Sequence, residues 1–352
     1  MNKRMRVLFL YTELAEYFLS CVNACLKKSN AEVHIVCYPV NKEAPFSFSF
    51  LDNLKMYERN QYSAKFLLDL ADKISPDIIY CSGWADKEYL SVCEKYRKKI
   101  PIIVGFDGKW NGSLKQRLGA FFKEFTINQY FSHCWIPGNP QMEFAKRLGF
   151  NEKNILRGFY SCDYNYFHNS YLSSMEVKKN NFPHRFIFVG RYYEFKGIRD
   201  LWQAFSEVSE ELPNDWELWC LGTGDILPVE HAKIKHFGFV QPKDMAKYIS
   251  ETGVFILPSH FEPWGVVVHE FASAGFPLIC SNEVGAASTF LKENENGFTF
   301  QSKNINELKS VIKKIISMPD EKLFQMGERS AEFASQITPE KWADTLLTLI
   351  KQ

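Results

Sequence analysis

Paired cysteines are missing from this chain. Its nine cysteines lie singly, with no C-x-x-C. Cys21 and Cys25 are four apart, but inside an apolar helical pattern where buried thiols are the ordinary reading. A structural zinc site is excluded on that ground, and a reducing compartment is expected. An excess of one charge is missing too. Lys and Arg total 42 against 41 Asp and Glu, a net charge of +1, so no bulk field draws nucleic acid. No apolar run approaches the roughly 18 residues that a membrane span requires. Val7 to Tyr11 is closed by Thr12 and Glu13 and reads as a first buried strand rather than a signal peptide. No G-x-G-x-x-G follows that strand, which weighs against a nicotinamide dehydrogenase. Neither D-x-D nor a His/carboxylate cluster at metal-ligand spacing occurs, and no short-period repeat is visible.

What is present is apolar sequence in short pieces. Hydrophobic residues make up 46% of 352, enough for real cores, and the length favours two domains. Continuous apolar runs at 6–11, 32–38, 77–81, 100–105, 134–137 and 154–157 alternate with helical patterns at 14–28, 61–74, 87–98, 114–130 and 141–148. Strands that are apolar throughout, each followed by a helix, indicate a parallel sheet covered on both faces. The stretch 161–181, polar and rich in Tyr, Asn and Ser, reads as a linker. The alternation then restarts with strands at 185–189, 216–221, 234–239, 254–257 and 277–280, and helices near 200–211, 243–249, 265–274, 305–316 and 339–350. Two doubly wound α/β halves joined by one linker are expected.

Ligands of such sheets bind at the carboxyl ends of the strands. Three strand ends of the second half carry unusual residues. "GRYYEFKG" sets Arg191 and Lys196 in a short loop bounded by glycines, either a phosphate clamp or a solvated charged loop. "GTGD" offers Gly222 and Gly224, whose backbone can approach a ligand closely, or which simply make a tight turn. In "SHFEPWGVVVHEFASAGFPLICS", Pro263 and Gly265 start a helix whose Gly265, Val266 and Val267 amides have no intrahelical acceptor, an anion site. Glu270 lies four residues beyond Val266 and leans back towards that end, within reach of a hydroxyl beside the anion. Glu262 points into the space ahead of the helix. Phosphate flanked by two carboxylates suited to sugar hydroxyls describes a nucleotide sugar.

The order G-R-x4-K, G-x-G, then P-S-x2-E-P-W-G-V-V-V-x-E-x3-A-G-x-P, spanning Phe186 to about Phe300, resembles glycosyltransferase family 4. The resemblance implies a GT-B fold, two Rossmann-like α/β domains facing a central cleft. The expected divisions are 1–165 for the acceptor domain, 166–336 for the nucleotide-sugar domain, and a helix at 337–352 crossing back. It implies a retaining transferase that moves a hexose from a nucleoside diphosphate sugar to a hydroxyl of a saccharide or lipid-linked acceptor, in surface polysaccharide or glycoconjugate synthesis. By the same likeness Arg191 and Lys196 hold the diphosphate, Glu262 lies at the transferred sugar, and Glu270 binds the ribose. Gly265 to Val267 give amides to sugar and phosphate, and Val240, closing the strand of "GFV", touches the base. With two cations and a helix end at the diphosphate, no metal and no cofactor are expected.

The first half departs from the family pattern. The loop after the first strand is "YTELAEY" rather than Gly-Gly. "GFDGKWNG" puts Asp107 where many members have a His or Asp near the reacting centre, and Asp107-Gly108 is otherwise a turn. "SGW" at Ser82 to Trp84 is a further loop expected to face the cleft. Ala287 and Ser288 replace an expected acidic residue. Two rival functions stay open. One is a sugar-nucleotide epimerase on the same architecture; the other is a non-catalytic nucleotide-sugar-binding subunit, which would need neither Glu262 nor Asp107. The protein is expected in the cytoplasm, or peripheral on the inner face of the cell membrane. Leu114, Leu118, Phe121, Phe122 and Phe125 follow helical spacing among Lys115, Arg117 and Lys123. They read as a helix packed on the first sheet, or as an amphipathic interfacial helix near a lipid-linked acceptor. The alternating Phe46, Phe48 and Phe50 read as a packed strand face or an exposed platform.

Overall fold

A computed structural model describes residues 4–39, 48 and 51–349. The chain divides into two compact units, residues 1–161 with 337–352, and residues 162–336.

The first unit is built on strands β1 (Arg6–Glu13), β2 (Glu32–Tyr38), β3 (Leu54–Glu58), β4 (Ile78–Ser82), β5 (Ile102–Gly105), β6 (His133–Ile136) and β7 (Ile155–Arg157), in the order β3-β2-β1-β4-β5-β6-β7. All pair in parallel. Alternate side chains of β1 enter opposite cores. Val7, Phe9 and Tyr11 meet the helices Glu16–Lys28 and Pro339–Thr348, while Leu8 and Leu10 lie in the core that holds Leu67, Tyr89 and Val92. Helix Pro339–Thr348 begins on Thr338, whose hydroxyl accepts from the Lys341 amide at 3.3 Å. It buries Trp342 against Trp135 with ring centroids 4.7 Å apart, and Asp344 takes an ion pair from Lys28 at 2.6 Å.

The second unit carries β8 (Arg185–Val189), β9 (Glu217–Leu221), β10 (Ile234–His236), β11 (Val254–Leu257), β12 (Leu278–Ser281) and β13 (Gly297–Phe300), in the order β10-β9-β8-β11-β12-β13. The winding direction reverses between β8 and β11. The loops following these two strands leave the sheet side by side at that switch point, the place where open α/β sheets receive ligands.

Several expectations change. The stretch 161–181 is no linker. Tyr164–Asn180 is a helix capped by Asp163, which accepts from the Tyr166 amide at 3.2 Å. Its buried positions Phe167, Ser170, Tyr171, Ser174 and Lys178 recur at helical spacing but mix polar with apolar, so no hydrophobic stripe shows. A boundary at 165/166 would cut that helix. The strand of "GFV" stops at His236, and Gly238 turns with φ 70°, so Val240 stands on a loop. The pattern 114–130 is not one packed helix. It forms Leu114–Phe121 and Lys123–Thr126, neither with a buried residue. Strands β3 and β13 and the helix Asp320–Ala334 had no counterpart in the periodicity. Phe46 and Phe50 lie outside the described residues, whereas Phe48 packs partly buried on the first unit's core.

Candidate functional site

The loop after β8 is pressed onto its neighbours by glycine. Gly197 has φ 68°, and a Cβ there would stand 2.1 Å from the Pro258 carbonyl oxygen, so the turn after Lys196 lies on the start of the β11 loop. The Phe195 carbonyl accepts from the His260 and Phe261 amides at 2.7 and 3.2 Å. His260 Nε2 pairs with Asp200 Oδ2 at 2.7 Å, tying the β11 loop to the first turn of helix Ile198–Glu211. In this frame Lys196 Nζ forms an ion pair with Glu262 Oε2, and Ser259 donates to the same oxygen at 3.4 Å. Both side chains are largely buried, at 19% and 12% exposure, so the pair is shielded from solvent.

Glu262 is also held through its backbone. Its carbonyl accepts from the Gly285 amide at 3.0 Å, and the Trp264 carbonyl accepts from the Ala286 amide at 2.8 Å. Gly265 follows with φ 91° and initiates helix Val266–Ser273. A Cβ on Gly265 would lie 2.9 Å from Glu262 Cγ, so glycine lets the carboxylate sit at the head of the helix. There the Gly265, Val266 and Val267 amides lack intrahelical acceptors.

Glu270, one turn along, has its carboxyl pushed up to about 7, first by burial and then by the charge of Asp163. Next to it His269 is fully buried. Its Nδ1 accepts from the Cys162 amide at 3.1 Å and its Nε2 donates to the Ala334 carbonyl at 3.0 Å, which fixes the neutral tautomer. Stacked on Phe290 at 4.2 Å, this ring sets the rotation of the helix and hence the direction of Glu270.

Gly222 and Gly224 serve another loop. A Cβ at Gly222 would fall 1.9 Å from the Gly190 carbonyl oxygen, and one at Gly224 would fall 2.6 Å from that of Tyr192. The Tyr192 amide donates to the Thr223 carbonyl at 2.9 Å, so "GTGD" seats the Arg191 loop. Arg191 is half-buried there. Val240 is half-buried on the loop beyond β10.

Asp107 belongs to the first unit, just after β5. Its carbonyl accepts from the Gln141 amide group at 2.9 Å, and its carboxylate accepts from the Tyr160 hydroxyl at 3.4 Å. Tyr17 meets Tyr160 edge-on at 5.6 Å, and burial raises both hydroxyls well above the ordinary tyrosine value. The loop from Ser82 to Trp84 is joined to the same region by Trp84 against Phe106 at 5.7 Å.

The structure thus brings together Lys196, Glu262 and Gly265, with Glu270 one turn beyond. The residues that motif spacing did not single out are His260, Asp200, His269 and Tyr160. His260 lies inside the P-S-x2-E segment two residues before Glu262, which was the available signal. Asp200 and Tyr160 are distant in sequence and carried none.

Comparison with known proteins bears on the second unit most directly. Residues 174–333 match the family described as Glycosyl transferases group 1. An uncharacterized glycosyltransferase of Methanocaldococcus jannaschii is 30% identical over 141 residues, 37% of this chain and 35% of that one. The chain spans less than half the length of the curated relatives that it matches. Among solved structures, a glycosyltransferase from Rickettsia africae superposes with a TM-score of 0.74 at 16% identity, covering 99% of this chain and 98% of that one. Anabaena HepE, solved in complex with UDP and glucose, superposes with a TM-score of 0.72 at 14% identity, covering 99% and 100%. At such identities the likeness is one of fold. Residues 174–333 thus match the glycosyl transferases group 1 family, in a chain whose two units have the GT-B fold.

Proposed function

We propose that the protein is a retaining glycosyltransferase that moves a hexose from a nucleoside diphosphate sugar to a hydroxyl of a saccharide or lipid-linked acceptor. The observation that carries this reading is the Lys196–Glu262 pair at the amide-rich head of helix Val266–Ser273. A cation, a carboxylate and unpaired amides at one point suit a phosphate joined to a polyol.

Lys196 then exchanges Glu262 for the diphosphate, and Glu262 turns to the sugar. The bond between the anomeric carbon and the phosphate oxygen breaks while the acceptor oxygen bonds to that carbon. The acceptor proton passes to the leaving diphosphate. Lys196, Arg191 and the helix amides stabilise the negative charge that grows there, so the reaction proceeds without a divalent cation. Glu270 holds the donor ribose, Val240 lies at the base, and Asp107 serves the acceptor side.

The test uses UDP as the first probe, because the Anabaena structure holds it. Calorimetry is run with UDP and with uridine, and kinetics with the donor found by a thermal-shift screen of nucleotide sugars. Lys196→Ala should weaken UDP much more than uridine and lower kcat by about 10²–10³, the scale for removing one preorganised charge-stabilising donor. A Lys196→Ala protein with unchanged affinity for UDP and near-normal kcat overturns the reading. Release of an epimerised nucleotide sugar without any acceptor would replace transfer by epimerisation.

A further inference from the structure

The segment Leu114–Thr126 is built with its polar side inwards. The Gln116 side chain donates to the Lys109 carbonyl and accepts from the Asn111 amide, each at 2.8 Å, which ties the helix to the loop before it. The opposite face is left in solvent. Leu114 is 78% exposed, Leu118 59%, Phe121 79%, Phe122 48% and Phe125 74%. Five large apolar side chains within twelve residues form a patch of the kind that marks an interaction surface. Phe121 and Phe122 meet edge-on at 4.9 Å, so the aromatic end holds together as a unit.

The charges identify the occupant. Lys115, Arg117 and Lys123 have no ion-pair partner among the described residues. At 100° per residue Leu114, Leu118 and Phe121 share one stripe, with Arg117 and Lys115 on its two flanks. The single anion of the segment, Glu124, accepts from the Asn128 side chain at 2.8 Å. A second copy of this face would set cations against cations. A sheet of fixed negative charge over hydrocarbon satisfies both parts at once.

We propose that Leu114–Thr126 is a docking surface for an anionic lipid bilayer, with Leu114, Leu118, Phe121 and Phe125 entering the acyl boundary and the exposed Lys115 and Arg117 lying at the headgroups. The inference does not rest on the sugar-transfer reading, since it uses no residue of the second unit.

The full chain is sedimented with vesicles of phosphatidylglycerol mixed into phosphatidylcholine, and with phosphatidylcholine alone, at about 50 and 500 mM salt. Binding should be strong only on the anionic vesicles at low salt. Phe121→Ser with Phe125→Ser should lower it by about tenfold or more while the thermal midpoint and the affinity for UDP hold. A second variant, Lys115→Gln with Arg117→Gln, should weaken binding and flatten its salt dependence. The proposal fails if anionic vesicles leave the protein in the supernatant, or if binding survives both variants. It also fails if ultracentrifugation finds a dimer that Phe121→Ser with Phe125→Ser dissociates and vesicles do not bind, since the face would then join two copies.

Discussion

Two helices of eight residues invite comparison, Leu114–Phe121 in the first unit and Val266–Ser273 in the second. Each follows a fully buried four-residue parallel strand, β5 or β11, after a loop of eight residues, 106–113 or 258–265. Both are rich in apolar side chains. Val266–Ser273 buries Val268, His269, Phe271, Ala272 and Ser273, while Leu114–Phe121 buries nothing. The difference arises in what meets each helix. The loop leading into Val266–Ser273 is braced at Glu262 and Trp264 by the backbone of 285–286, and His269 pins the helix flank. Leu114–Phe121 is held by one glutamine and a serine cap, Ser113, which accepts from the Gln116 amide at 3.4 Å. Apolar spacing specifies that a helix forms. Which way it turns its apolar side is decided by the few polar contacts that anchor it.

Matched substitutions break the comparison if it is wrong. The largest effect is expected for Phe271→Ala. Its ring is fully buried between Phe255 at 4.5 Å and Phe276 at 5.0 Å, so thermal or urea unfolding should register a loss of about 3–5 kcal/mol. Gly285→Ala comes next. A Cβ there would stand 2.0 Å from the Pro263 carbonyl oxygen, so the Glu262 segment must move. A loss on the order of 2 kcal/mol is expected, together with weaker UDP binding by calorimetry. If stability falls while UDP affinity is unchanged, the brace does not position the site.

The third substitution is Glu270→Gln, and its sign depends on pH. The carboxyl is pushed up to about 7 in the fold from an ordinary 4.5, so the folded protein binds the proton more tightly than the unfolded chain does. Stability is therefore lost as pH rises from about 4.5 to about 7 and is level above that. The glutamine does not titrate. The gap in thermal midpoint between Glu270→Gln and the wild type should be small at pH 4.5 and widen to a plateau above pH 7. A gap that stays constant would show that the carboxyl is not held protonated. Smallest of all, Phe121→Ala should change stability by no more than about 0.5 kcal/mol, the range of surface substitutions. A loss like that of Phe271→Ala would mean the ring is covered after all.

The second sheet and its site were legible because several local signals coincide there. Strands β8, β9 and β11 are continuous apolar runs, and Pro263-Trp264-Gly265 marks the helix start within a residue. Glu262 and Glu270 stand on either side of that mark. Their settings were not legible, since the Lys196–Glu262 pair joins residues 66 positions apart and the Asp163 charge on Glu270 comes across more than a hundred. Helix Tyr164–Asn180 is not legible because Ser170, Ser174 and Lys178 occupy buried positions where apolar residues would reveal the period. Strand β13, Gly297–Phe300, is four residues long and exists by pairing with β12, which no local pattern encodes.

Helix Pro339–Thr348 carries a consequence for the order in which the chain can fold. Its Trp342 closes on Phe9, Phe18 and Trp135, residues separated from it by the whole of the second unit. A ribosome has finished 162–336, a continuous stretch that makes one compact unit, well before residue 342 appears. Until then the first unit holds an open aromatic face and waits. The domain made first is thus completed last, and the interval in between is when a chaperone has most to do.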